Sequence, residues 1–119
     1  MKYQEQYKHV KSVIRKLGGE SQEMLEHFSN LHKTSIKSGD IPNKYKELIA
    51  LGISISIRCN ECIVYHLNDA IKAGVTDEEV IETINVSVMM GGGPALIYAT
   101  HAYEALHEIR NLEKKIVNA

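Results

Sequence analysis

"PNKYKELIALGISISIR", Pro42–Arg58, is the stretch whose reading decides the fold. Ile53, Ile55 and Ile57 alternate with serines, the period of a half-buried strand. Leu48, Leu51, Ile55 and Arg58 are spaced as on a helix, and neither that set nor Leu48, Ala50 and Ile57 decides the matter alone. The rest of the chain does. No other segment reads as a convincing strand, and an isolated strand would leave its backbone N–H and C=O groups without partners. The segment is therefore expected to be a helix, with Pro42 in its first turn, where a missing N–H has no intrahelical partner anyway.

Working outward, helical spacing recurs on both sides. Tyr7, Val10, Ile14 and Leu17 step by three and four and predict a first helix, stopped by Gly18-Gly19. Met24, Phe28, Leu31 and Ser35, with Leu25 and Ile36 alongside, predict a second that ends near Gly39. A fourth is expected from about Asn60 to Ala73, closed by Gly74. "TDEE" at 76–79 then offers a capping box from Thr76 to Glu79. The fifth buries Val80, Ile84, Ser87 and Val88 and gives out at Gly91-Gly92-Gly93. Pro94 opens a sixth, on which Ala95, Ala99, Ala102, Leu106 and Ile109 make a stripe of mostly small side chains. The expected fold is all-α: one domain over residues 1–119, of about six helices. Several helices look apolar over more than one face, more than 119 residues can bury, which predicts a homo-oligomer.

Composition excludes several classes. The net charge is −1 with both signs interleaved, so no basic field exists for nucleic acid or an anionic membrane. "MKYQEQYKHVKSVIRKLGG" is too charged for a secretory leader, and "LIALGISISI" is about half of the roughly 20 residues a membrane span needs. No nucleic acid, no membrane and a cytoplasmic location are the expectations.

Chemistry is concentrated in "CNECIVYH", residues 59–66. On a helix, Cys59, Cys62 and His66 point within roughly 60° of one another. Their stripe continues through Ala70 and Ala73, away from Asn68, Asp69 and Lys72, which are expected on the exposed side. In a reducing compartment a C-x-x-C pair serves redox chemistry or metal binding more often than structure. At a helix start, oriented N–H groups stabilise a thiolate, and an imidazole one turn after Cys62 is placed to move its proton. Glu47, the last charge before the apolar run, is the candidate carboxylate to orient His66 if the two helices pack as a hairpin. Two plainer readings stand beside this one. Both thiols could be small buried hydrophobes, or they could join His66 in a zinc site, for which the sequence offers no fourth ligand of the same kind. His9, His27, His32, His101 and His107 read as surface or satisfied residues. His101, with Glu104 nearby, is the one placed to line an interface.

The pattern from Glu47 through Cys59, Cys62 and His66, followed by the capped helix, "GGGPA" and an Ala-rich helix, resembles the carboxymuconolactone decarboxylase superfamily. Within it, the chain is similar to the alkylhydroperoxidase D-like branch over about residues 40–110. The resemblance implies a thiol-dependent peroxidase, an alkylhydroperoxidase-like enzyme with no bound cofactor or metal. Cys62 would attack the hydroperoxide and pass through a sulfenic acid, Cys59 would close the disulfide, and Glu47 with His66 would relay protons. It also implies trimers or hexamers and an external thiol or dithiol reductant. One departure matters: Glu61 stands between the cysteines, where better-characterised peroxidases of the branch often carry a second histidine. A carboxylate there raises a neighbouring thiol's pKa, which favours a general disulfide reductase. The alternatives are the namesake lactone decarboxylation, which does not call for two thiols, and a metal-binding or structural helical oligomer.

Overall fold

The computed structural model describes residues 2–118, and these form five helices and no strand. They are α1 (Lys2–Glu20), α2 (Gln22–Ile36), α3 (Asn43–Ser56), α4 (Asn60–Lys72) and α5 (Asp77–Asn118). The deciding stretch is α3. Its buried residues, Glu47, Leu48, Leu51, Ser54 and Ile55, recur at the spacing of one helical face. The apparent alternation dissolves on that helix: Ile55 is buried, while Ile53 and Ile57, one turn apart, are exposed on another face. Ser54 spends its hydroxyl locally, donating from Oγ to the Ala50 carbonyl at 2.7 Å.

α3 is the centre of the domain, packed against α4 and α5. Leu51, Ile55, Ile63, Val64, Leu67 and Val80 are its largest fully buried side chains. The predicted small-residue stripe, Ala95, Ala99, Ala102, Leu106 and Ile109, is buried throughout. Close approach of α3 and α5 also shows at Gly52, where an added Cβ would meet Ser87 Oγ at 3.2 Å. That hydroxyl lies 3.1 Å from the Gly52 carbonyl oxygen and 3.0 Å from that of Thr83. α1 is clasped from both sides. Glu108 accepts from the backbone N–H groups of Tyr3 and Gln4 in its first turn, and Lys72 Nζ donates to Tyr7 Oη at 3.0 Å.

Four expectations need correction. The last two predicted helices break where expected but without a connecting loop: Gly92 alone leaves helical geometry (φ 71°, ψ −153°), so α5 is two helices meeting at a kink. Only glycine occupies that region without strain. Gly92→Ala is therefore expected to cost about 1–3 kcal/mol, read as a lowered midpoint in urea unfolding. α1 runs through Gly18-Gly19 to Glu20, so two glycines are not enough to end it. Pro42 is the residue before the first turn of α3, with extended ψ of 147°. Finally, Asn68 is buried and Asp69 is half-buried. By length and composition α5 reaches the threshold for a membrane span, a run longer than "LIALGISISI". Only 22% of that apolar stretch is buried within the domain, although the Ala95–Ile109 stripe packs inside.

The capping box forms as read. Thr76 N–H donates to Glu79 Oε1 at 2.8 Å and Glu79 N–H donates to Thr76 Oγ1 at 3.1 Å. Thr76→Ala is expected to lower stability by about 1 kcal/mol at neutral pH. The hydrogen bond from the Thr76 backbone holds the Glu79 carboxyl below its usual 4.5. A depressed acid stabilises the folded state above its ordinary pKa, and that contribution fades as pH falls through the folded value. The stability deficit of Glu79→Gln should accordingly be present at pH 7 and disappear well below 4.5, as followed by thermal unfolding across pH.

Candidate active site

The turn between α3 and α4 positions the first cysteine. Arg58 N–H donates to the Ile55 carbonyl at 3.2 Å and Cys59 N–H to the Ser54 carbonyl at 3.1 Å, with Arg58 in the left-handed region at φ 61°. This is the double closure of a Schellman turn, with arginine where glycine is usual. The residue that completes the turn is also the N-cap of α4: Cys59 Sγ accepts from Cys62 N–H at 3.3 Å. One sulfur thus sits on the free N–H groups of a helix start, where a thiolate is favoured. Cys59 and Cys62 are joined as a disulfide.

Glu47 and His66 do meet. Packing of α3 against α4 brings Glu47 Oε2 to 3.4 Å from His66 Nδ1, long for a hydrogen bond and close enough for an ion pair once the ring is protonated. The Glu47 side chain is only 4% exposed and that of His66 21%. Glu47 is therefore not a solvated helix charge. With the carboxylate at Nδ1, a neutral ring that donates there leaves Nε2 free to accept a proton.

A cavity of about 720 Å³ opens beside these groups. Cys62 and His66 lie on its wall together with His32, whereas Val10, Leu17, Leu25 and Phe28 make it apolar. Cys59 does not contribute to that wall. The two sulfurs therefore differ: one faces the cavity, the other is held at the helix start. Glu61, also on the wall, is exposed and accepts from Gln6 Nε2 at 3.2 Å.

Three residues at the site, His32, Asp69 and Tyr65, escaped the sequence reading. His32, from α2, stacks on His66 with ring centroids 6.2 Å apart and 15° between planes. Its donor atom, with those of Glu47 and Asp69, falls in a group whose members all lie within 4.8 Å of one another. Burial, and then the nearby Glu47 charge, hold the Asp69 carboxyl above its usual range. Tyr65, edge-on to both His32 and His66, has its phenol raised chiefly by burial. His101 lies away from this cluster, bonded through Nδ1 to Asn60 Oδ1 and set against Tyr3 and Tyr98. Glu104 is exposed.

Residues 22–105, well over half of the chain, match the carboxymuconolactone decarboxylase family. The chain belongs to that family. A family protein of Legionella pneumophila has a solved structure that superposes with a TM-score of 0.87 at 36% identity, over 90% of this chain and 96% of that one. A family protein of Thermotoga maritima, with a suggested role in antioxidative response, superposes at 0.73 and 33% identity, over 76% of this chain and 94% of that one. An uncharacterised protein of Cupriavidus necator is 30% identical over 72% of this chain and 76% of its own length. The family match begins at α2, earlier than the 40–110 region in which the motif alone showed a likeness. α2 is also the helix that carries His32.

Proposed function

We propose that this member of the carboxymuconolactone decarboxylase family is a dithiol oxidoreductase that reduces hydroperoxides, with Cys62 as the attacking thiol. One observation carries the reading: the Cys59–Cys62 disulfide presents Cys62 to an apolar cavity whose wall also holds His66, itself backed by the buried Glu47. The suggested antioxidative role of the Thermotoga maritima protein points the same way.

In the first step the Cys62 thiolate forms an S–O bond as the O–O bond of the hydroperoxide breaks. The alkoxide leaves, takes a proton passed through His66 and departs as the alcohol. Cys62 is then a sulfenic acid, oxidised by two electrons. Cys59 attacks that sulfur, the S–S bond forms, and hydroxide leaves with the Cys59 proton as water. An external dithiol restores the pair by two exchanges and is itself oxidised. Attack on the cavity-facing Cys62 expels Cys59, the sulfur best stabilised as a leaving thiolate by the N-terminus of α4. The same cycle accepts a small disulfide in place of the hydroperoxide. Glu61 bends toward α1 rather than lying free beside the sulfurs, which moderates its repulsion of a Cys62 thiolate.

The test is consumption of cumene hydroperoxide with dithiothreitol as reductant, in the wild type and in Cys59→Ser/Cys62→Ser. Turnover in the first and none in the second is expected. Equal activity would remove the thiols from the reaction. Decarboxylation of a carboxymuconolactone that survives in the double variant would favour the namesake chemistry instead.

The proposed working unit is a homo-oligomer. Ile49, Ile53 and, just past its end, Ile57 line an exposed stripe along α3, and Met24, Phe28 and Leu31 one of α2. Light scattering on the eluting protein should give a mass three or six times 13.4 kDa. A single-chain mass would contradict it.

A further inference from the structure

The cluster of His32, Glu47 and Asp69 carries chemistry that the thiol cycle leaves unexplained. The three residues come from α2, α3 and α4, so only the folded domain brings them together. Their donor atoms lie within 4.8 Å of one another. An ion centred in such a triangle is no more than about 2.8 Å from each donor, and small side-chain rotations close that to the roughly 2.0–2.2 Å of a settled zinc site. The donor set is mixed, one imidazole and two carboxylates, which suits zinc and similar first-row divalent ions rather than magnesium.

Charge argues in the same direction. Glu47 is buried, at 3% exposure, and Asp69 is half-buried within its field. Two such carboxylates together are costly without a cation. Lys72, the permanent cation that bears on Asp69, commits its ammonium to Tyr7 Oη at 3.0 Å. His66 is also placed to support a metal ligand, since its Nδ1 faces Glu47 Oε2 at 3.4 Å.

We propose that His32, Glu47 and Asp69 form a binding site for a divalent zinc-like ion, one per chain, with water completing its coordination. Its ligands share no residue with the C-x-x-C pair. Because Glu47 also backs His66, an ion there draws on the carboxylate that the proton relay uses. That consequence rests on the proposed function; the site itself does not.

The experiment is a calorimetric titration of zinc chloride into protein purified without a His-tag, stripped with chelator and kept in its disulfide form, so that no thiolate competes. Saturable binding of one zinc per chain is expected, weakened at least tenfold in His32→Ala and in Asp69→Asn. Both residues are partly exposed, so these variants should fold, which circular dichroism checks. Cys59→Ser/Cys62→Ser should bind as tightly as the wild type, even if it has lost all hydroperoxide turnover. No saturable binding, or affinity unchanged in both His32→Ala and Asp69→Asn, would overturn the site.

Discussion

Cys62→Ser is expected to lose hydroperoxide reduction by a factor on the order of 10³ or more, because removal of a nucleophile leaves only what binding and the surrounding dipoles supply. Cys59→Ser should behave differently. It retains the cavity-facing sulfur and the His66–Glu47 pair, so each chain should consume one hydroperoxide and stop at a sulfenic acid that dimedone traps. The asymmetry is the informative part. If Cys59→Ser were the dead variant and Cys62→Ser the one that formed a trapped sulfenic acid, the attacking thiol would be the one on the helix N-terminus, as in a thioredoxin-style arrangement. Stopped-flow measurement of peroxide consumption, with mass spectrometry of the dimedone adduct, separates the two.

Replacing the base comes next in size. His66→Asn should lower kcat/KM by about 10²–10⁴, the usual worth of a positioned proton carrier. Glu47→Gln is expected to remove much of the same factor although it touches no substrate. Its new amide can donate to Nδ1 and so favour the ring tautomer that places the proton on Nε2, where the base is needed. Glu47 is thus a positioning residue, and stability distinguishes this role from a merely structural one. A buried carboxylate pays heavily in lost hydration, so neutralising it should leave the melting temperature unchanged or raised while activity falls. A Glu47→Gln protein with full activity would contradict the relay.

Much of this could be read from residues alone. The all-helical fold followed from α3, where the strand-like alternation had no partner, and the capping box and the alanine stripe were visible because both are local patterns. The offsets from Cys59 to Cys62 to His66 were equally local. The contact of Glu47 with His66 was not, since it depends on the turn at Arg58 that folds α3 back on α4. His32 was missed by a phase slip of one residue. The stripe was read through Met24, Phe28 and Leu31, all exposed, whereas the sheltered face of α2 runs through Leu25, Ser29, His32 and Ile36. Those positions step by four, three and four, so the signal was present, but the larger side chains of the exposed row outweighed it. The break in α5 was legible at its triple glycine, but its confinement to one residue, Gly92, was not, since that depends on backbone angles that composition does not encode.

The most direct measurement counts thiols. Fully reduced protein, freed of reductant, should show two thiols per chain; one equivalent of hydroperoxide should remove both, and dithiothreitol should restore both. If the two thiols persist while hydroperoxide is consumed, or if neither thiol nor hydroperoxide changes, the dithiol cycle at Cys59 and Cys62 is wrong.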